Sequence, residues 1–203
     1  MSATPVYEPR TLHPAISMAN YHEIRDIRQW GRRTIPDIEL ILAVDGRFEY
    51  VDDREGSVKH EPGQVLLIPP ERPHIYRVDP ECRVAFFSCI HLEPFAGSRY
   101  ADGTYTLIPE PCRLTDVSGD PEVQELFRRA AGEFEGYADF RDEVVSTIAK
   151  EIWLRLARVW SRPASVAGSA RVREMVAYLR RNLLEHPTRL DLAETFNLTP
   201  QHV

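Results

Sequence analysis

Short segments rich in β-branched and aromatic residues follow one another through the first 115 residues of the chain. Turn signals such as AVDGRF, REGS, EPG and PPERP separate these segments. The predicted strands span 19–30, 36–44, 47–51, 57–61, 64–68, 74–78, 83–92 and 104–108. Many short strands joined by tight turns predict an antiparallel sandwich or barrel. Asp45-Gly46, between two apolar runs, also predicts a β-hairpin.

The apolar period becomes helical near Asp120, a typical N-cap residue that is followed by Pro121. One amphipathic helix is predicted to begin there, and a longer one spans about 139–160. The longer helix carries more apolar surface than one face of a barrel covers, which predicts a helix pair at a two-fold dimer interface. The residues assigned to this interface are Val145, Ile148, Ile152, Trp153 and Leu156.

The C-terminal part reads as a linker followed by capped helices. Residues 161–170 are mostly small and lack an apolar period, which indicates a linker. Within 171–203, Thr188 and Asp191 have the spacing of a capping box, and Asn197 can take the left-handed conformation that ends a helix. This order predicts a helix-turn-helix, and an ordinary helical hairpin is the alternative.

Composition narrows the class of protein. A chain of 203 residues, 43% of them hydrophobic, can bury a sizeable core. No apolar run approaches the roughly 20 residues that span a bilayer, and no export signal is visible, so no membrane partner is expected. Three cysteines without a CxxC pair predict a reducing, cytoplasmic location. The net charge of −6 argues against DNA binding by the chain as a whole.

Residues 63–78 resemble the second motif of the cupin superfamily. Gly63, Pro69 and His74 stand at the matching positions, whereas Glu71 stands where the motif has a glycine. The resemblance implies a cupin-type β-barrel in which the histidine lies just past a rigid turn.

The first cupin motif is only partly present. Glu39 has the required separation from a later glycine, but the motif's two histidines are missing and Arg33 lies where they should fall. Of the ligands that metal-dependent cupins use, only Glu39 and His74 remain, so we expect no bound metal and no other cofactor. Cys89 and His91 share one face of a strand, but nothing in the sequence places them beside His74.

Longer phrases resemble AraC-family transcriptional regulators. IPDIELILAVDG, GQVLLIPPERPHIYRV and FFSCIHLEP are similar to the effector-binding domain of that family, and LDLAETFNLTPQHV is similar to its first helix-turn-helix. The resemblance implies a mainly β fold with C-terminal helices: a cupin-type double-stranded β-helix barrel, a helical dimerisation segment and a partial helix-turn-helix. The expected parts are an effector-binding barrel with an N-terminal arm (1–115), the dimerisation segment (116–160), the linker (161–170) and an incomplete DNA-binding domain (171–203).

The family also implies a function. We expect a homodimeric, ligand-responsive transcriptional regulator without enzymatic activity, C-terminally truncated here, whose effector is a sugar or a small acid. Operator DNA is expected as a partner of the full-length protein only, through Thr199, Gln201 and His202 at the start of the recognition helix. The alternative is a stand-alone cupin enzyme, an isomerase or dioxygenase, with a helical tail.

Five residues are predicted to bind the effector. A lone carboxylate in an apolar strand is costly to bury, so Glu39 needs a donor such as Arg33, His74 or a ligand hydroxyl. The complete set is Trp30, Arg33, Glu39, His74 and Tyr76.

Overall fold

The computed structural model describes residues 6–25, 28–54, 56–94, 105–161, 174–175, 178–179, 182 and 187–199. The chain divides into two compact units, Met1–Ser161 and Arg162–Val203. No helix in the described ranges is long and apolar enough to cross a membrane.

The first unit is built mainly from short strands. They are β1 (Val6–Tyr7), β2 (Ala15–Ile24), β3 (Gln29–Arg33), β4 (Ile38–Asp45), β5 (Phe48–Asp52), β6 (Gly56–His60), β7 (Gln64–Ile68), β8 (His74–Val78), β9 (Ala85–Glu93), β10 (Thr106–Leu107) and β11 (Leu114–Asp116), with a short 3-10 helix at Pro9–Thr11. One antiparallel sheet has the order β11-β7-β4-β9-β2 and a second has the order β3-β8-β5-β6, while β1 pairs with β10 in parallel. This is a mainly β, cupin-like fold, as the sequence predicted.

Alternation along β4 explains how the sheets form two cores. Leu40 and Leu42 face a cluster that includes the helices, whereas Ile41 and Ala43 face the space between the two sheets. Successive side chains of a strand point to opposite faces, so β4 contributes to both clusters. Glu39 falls on the inner face with Ile41, which places its carboxylate inside the barrel.

The hairpin predicted at Asp45-Gly46 is wrong. The chain does turn there, since Gly46 has a φ of +78°. However, β4 pairs on its two edges with β7 and β9, whereas β5 pairs with β6 and β8 in the other sheet. Because both edges of β4 are occupied, the turn carries the chain between sheets instead of closing a ladder.

Two helices cover the larger sheet, α1 (Pro121–Glu135) and α2 (Arg141–Trp160). Asp120 precedes α1 as predicted, but its side chain makes no cap hydrogen bond. Both of its carboxylate oxygens instead accept hydrogen bonds from Arg155 of α2, at 3.1 and 3.0 Å. Trp160 donates from Nε1 to Thr115 Oγ1 of β11 at 2.7 Å, which fixes the end of α2 against the sheet.

The apolar stripe of α2 is already buried inside the chain. The side chains assigned to a dimer interface are each at most 5% exposed; they are Val145, Ile148, Ile152, Trp153 and Leu156. Four of them belong to the core cluster that α1 and the larger sheet complete. The argument that this stripe needs a second subunit therefore does not hold, because the barrel and α1 cover it.

In the second unit, α3 (Arg189–Thr195) begins with the predicted capping box. Thr188 Oγ1 accepts from the Asp191 backbone N–H at 3.3 Å, and Asp191 Oδ2 accepts from the Thr188 backbone N–H at 2.7 Å. Asn197 has a φ of +49°, which confirms the predicted left-handed residue after the helix. Gln201 and His202 lie outside the described residues, and Thr199 is the last described residue before them.

Candidate functional site

A cavity of about 410 Å3 opens between the two sheets. It is bordered by β2, β3, β4, β8 and β9, which meet where β2 and β3 form the edges of their sheets. The lining residues are Met18, Asn20, His22, Glu23, Ile24, Arg25, Trp30, Arg33, Glu39, Ile41, Tyr76, Phe87 and Cys89. The wall therefore combines aromatic rings with a small number of polar groups, which is typical of sites for small molecules.

Arg33 joins two of the predicted residues. Its Nη2 donates to both carboxylate oxygens of Glu39, at 3.0 and 2.8 Å. Its Nε donates to His74 Nε2 at 3.2 Å. Because His74 Nδ1 lies 2.8 Å from the Arg72 carbonyl, which can only accept, Nδ1 carries the proton and Nε2 is the acceptor. Burial lowers the pKa of His74, in agreement with this neutral ring.

His91 lies on the other side of Glu39, directly opposite it in the β4–β9 ladder. Its Nδ1 is 3.0 Å from Asp37 Oδ1, and its Nε2 is 3.2 Å from Glu39 Oε1. Burial alone would lower the pKa of His91, but the hydrogen bond to Asp37 and the contacts with Cys89 and Glu39 raise it to about 11. Burial likewise opposes ionisation of Glu39, yet His91 and Arg33 hold its pKa below the usual value.

These contacts form a row of alternating charge, from buried Asp37 through buried His91 and Glu39 to the partly exposed Arg33. Ser17 donates to Asp37 Oδ2 at 2.8 Å and so fixes the outer end of the row. Paired charges of opposite sign avoid the cost that a single buried charge would carry. Arg33 and Glu39, at one end of the row, present preorganised polar groups to the cavity.

The rest of the lining includes aromatic rings from both sheets. The Trp30 ring centroid lies 5.8 Å from that of Tyr76 and 5.3 Å from that of Phe87. Tyr76 is fully buried, and its hydroxyl lies 2.8 Å from His60 Nδ1. His60 Nε2 lies 2.9 Å from the Gln64 carbonyl, so Nε2 is the donor and Nδ1 accepts from Tyr76. Tyr76 therefore offers its ring to the cavity, while its hydroxyl is held by His60.

Four of the five residues predicted to bind the effector line this cavity, namely Trp30, Arg33, Glu39 and Tyr76. His74 does not line it but accepts a hydrogen bond from Arg33, which does. Sequence reasoning did not assign Asn20 and Phe87 to the site, although both contribute to the wall. The alternation of Phe87, Cys89 and His91 along one strand face was the signal that could have found the contribution of β9.

The metal site of the cupin motifs does not fit this chain. In the motifs a cation is held between groups that correspond to Glu39 and His74. Here the guanidinium of Arg33 is hydrogen-bonded to both of these side chains and takes the cation's place. A further departure is Glu71, which has a φ of +55° where the second motif has a glycine.

Comparison with known proteins adds the family. The AraC-like ligand binding domain matches residues 22–153. NMB1881 from Neisseria meningitidis aligns over 39% of this chain and 83% of its own, with 19% identity and a TM-score of 0.32. YhaK from Escherichia coli aligns over 50% of this chain and 46% of its own, with 17% identity and a TM-score of 0.36. The DMSP lyase DddQ from Ruegeria pomeroyi aligns over 43% of each chain, with 14% identity and a TM-score of 0.34. The chain thus spans less than half of the last two proteins. A separate comparison with curated proteins found no match.

Proposed function

Because the chain belongs to the family of AraC-like ligand binding domains, we propose that it is the small-molecule-sensing part of an AraC-type transcriptional regulator. The observation that carries the proposal is the cavity between the two sheets, whose lining combines a fixed Arg33–Glu39 pair with aromatic rings. Preorganised polar groups beside apolar surface give a ligand both orientation and affinity.

The free donor of Arg33 indicates what the effector offers. Nε and Nη2 donate to His74 and Glu39, whereas Nη1 has no hydrogen bond to the described residues. Nη1 can donate to a hydroxyl or carboxylate oxygen of a ligand, and Trp30 can pack against a flat apolar face. These groups suit a small polar molecule with an apolar face, which includes both sugars and small organic acids.

Sensing requires that the effector prefer one conformation of the protein over another. We propose that binding in the cavity biases the strands that carry Arg33 and Glu39, and through them the helices packed on the sheet. In the full-length regulator this bias changes how two DNA-binding domains are presented to operator half-sites. The effector should be released from the protein without any chemical change to the effector itself. Analysis of the ligand recovered after binding would check this.

A thermal-shift screen against sugars and small acids tests the cavity assignment. An effector that binds the folded state raises the melting temperature by mass action. Met18→Trp should narrow the cavity and weaken this shift, because Met18 lines it and is 38% exposed. Leu154→Trp is the matched control, since Leu154 is also 38% exposed but lies on α2. Equal loss of the shift in both variants would contradict the assignment.

The proposed regulatory role is tested in a regulator that also carries its DNA-binding domains. His74→Ala and Glu39→Ala should each weaken effector-dependent promoter output, since His74 orients Arg33 and Glu39 pairs with it. Normal promoter output in both variants would move the sensor to another part of the molecule. Homodimerisation is part of the proposal, through a surface other than the buried stripe of α2.

A further inference from the structure

Three buried side chains on β4 and β9 carry groups that can ligate a transition metal. They are Glu39, Cys89 and His91, and their ligand atoms all lie within 4.8 Å of one another. Each side chain belongs to a residue that is at most 6% exposed. This trio shares Glu39 with the first cupin motif but uses neither His74 nor the missing histidines.

The two ring nitrogens of His91 have different surroundings. Nδ1 is held by Asp37 Oδ1 at 3.0 Å, and Asp37 is in turn fixed by Ser17. Nε2 lies 3.2 Å from Glu39 Oε1, yet it is a buried nitrogen without a hydrogen-bond partner, so this contact lacks hydrogen-bond geometry. Buried polar atoms in folded proteins are nearly always hydrogen-bonded, and the exceptions call for a ligand or a function.

The surroundings of the trio match those of a metal centre. A histidine that ligates a metal usually donates its other ring N–H to a carboxylate, as His91 does to Asp37. Cys89 Sγ accepts from Asn20 Nδ2 at 3.1 Å, and Asn20 Oδ1 accepts from the Cys89 backbone N–H at 3.0 Å. Arg33 Nη2 donates to Glu39 Oε2 at 2.8 Å and to Oε1 at 3.0 Å, and Oε1 is also the oxygen that lies 3.2 Å from His91 Nε2.

We propose that a zinc-class divalent ion binds between Glu39 Oε1, Cys89 Sγ and His91 Nε2. Zinc bonds of about 2.0–2.3 Å to oxygen, nitrogen and sulfur require the three ligand atoms to lie roughly 3.3–3.8 Å from one another, a small adjustment of the side chains. Binding releases two protons to solvent, one from His91 Nε2 and one from the Cys89 thiol, and the Glu39 carboxylate and the Cys89 thiolate then balance the charge of the ion. Because Glu39 and Cys89 line the cavity, the fourth position of a tetrahedral site would be open to it.

Cobalt(II) reports directly on this ligand set. The full chain, first freed of metal with a chelator, is titrated with cobalt(II) chloride and followed by absorption spectroscopy. A stoichiometric site containing Cys89 should give a near-ultraviolet thiolate-to-cobalt band together with visible bands of a tetrahedral ion. Zinc(II) chloride, added afterwards, should abolish both. No saturable band at stoichiometric cobalt would overturn the proposal.

Variants assign the ligands. Cys89→Ser should abolish the near-ultraviolet band, whereas Cys112→Ser, at an exposed cysteine, should leave it unchanged. Asp37→Asn keeps the three ligands but removes the carboxylate behind His91, so cobalt should still bind with about 10–100-fold lower affinity. Circular dichroism of each variant checks that it is folded. A band that survives in folded Cys89→Ser, or disappears in Cys112→Ser, would refute the site.

Discussion

The guanidinium of Arg33 binds the carboxylate of Glu39 through both of its oxygens, at 3.0 and 2.8 Å. The same guanidinium also donates to His74, so Arg33 is hydrogen-bonded to both metal-ligand residues of the cupin motifs that this chain retains. A fixed cation of this kind orients the carboxylate without requiring a metal at that point. Arg33 therefore fixes the Glu39 carboxylate that lines the cavity.

Arg33→Met should lower the free energy of unfolding by about 3 kcal/mol. Glu39 is 2% exposed and would lose one of its charged partners, and breaking a buried pair usually costs 3–5 kcal/mol. The low end is expected because His91 remains beside Glu39 and the Arg33 side chain is 31% exposed. Urea denaturation of the variant and of wild-type protein measures the difference.

Arg32→Met is the matched control for this substitution. Arg32 is the neighbouring residue and pairs with Asp53, but both side chains are more than half exposed. Exposed ion pairs contribute from nothing to about 1 kcal/mol. An Arg33→Met variant no less stable than Arg32→Met would show that Glu39 does not depend on Arg33.

Local signals predicted some strands correctly, but the single strand predicted over 19–30 covers the end of β2 and the start of β3, which lie in different sheets. The predicted strands 64–68 and 74–78 coincide with β7 and β8. The hairpin at Asp45-Gly46 failed because a turn signal does not state which strands pair after the turn. The helical period of α2 likewise identified its buried face but not that α1 and the larger sheet cover it.

The candidate site was predictable where its residues are close in the sequence. Glu39 needed a donor, and Arg33, six residues earlier, is the donor in the structure. His91 was not assigned to Glu39 because their contact arises from the register of β4 against β9, which joins segments about 50 residues apart. Register of this kind is set by turns and packing across the whole sheet.

Acid should destabilise the protein through His60. This residue is fully buried, and burial lowers its pKa from 6.5 to about 4. In the unfolded chain His60 takes up a proton near pH 6.5, whereas in the folded protein it does so only near pH 4. The contribution of neutral His60 to the free energy of unfolding is therefore complete above pH 6.5. It falls by roughly 3 kcal/mol as the pH decreases towards 4.

His60→Gln isolates this contribution. Glutamine has no ionisable group in this range and can still hydrogen-bond to Tyr76 or the Gln64 carbonyl. The variant should be less stable at pH 7, but its stability should fall less between pH 6.5 and 4 than that of wild-type protein. Parallel pH dependence of the two proteins in urea denaturation would show that His60 is not the group responsible.

Alanine substitutions at Gly46 and Gly56 distinguish the cost of backbone strain from the cost of steric overlap. Both have similar positive φ values, +78° and +76°. A Cβ at Gly46 would lie 2.7 Å from the Val84 carbonyl oxygen, whereas one at Gly56 would meet nothing within 4 Å. Gly56→Ala should cost about 1–2 kcal/mol from strain alone, and Gly46→Ala about 3 kcal/mol or more. Thermal unfolding with equal losses in both variants would contradict the close packing of the turn against β9.

The buried stripe of α2 should govern stability and not self-association. Ile152 is fully buried in the core, so Ile152→Ala should lower the free energy of unfolding by about 3 kcal/mol. Leu154, two residues further on, is 38% exposed. Leu154→Ala should therefore change the free energy of unfolding by about 0.5 kcal/mol or less. Denaturation in urea gives both values.

Light scattering on the same proteins tests the dimer. Wild-type protein at micromolar concentration is expected at twice the mass of one chain, and folded Ile152→Ala should keep that mass because its side chain contacts only its own subunit. A folded Ile152→Ala monomer would place the stripe at an interface after all. A monomeric wild-type protein would instead remove homodimerisation from the proposed function, while leaving the cavity and its Arg33–Glu39 wall as the sensing site to be tested.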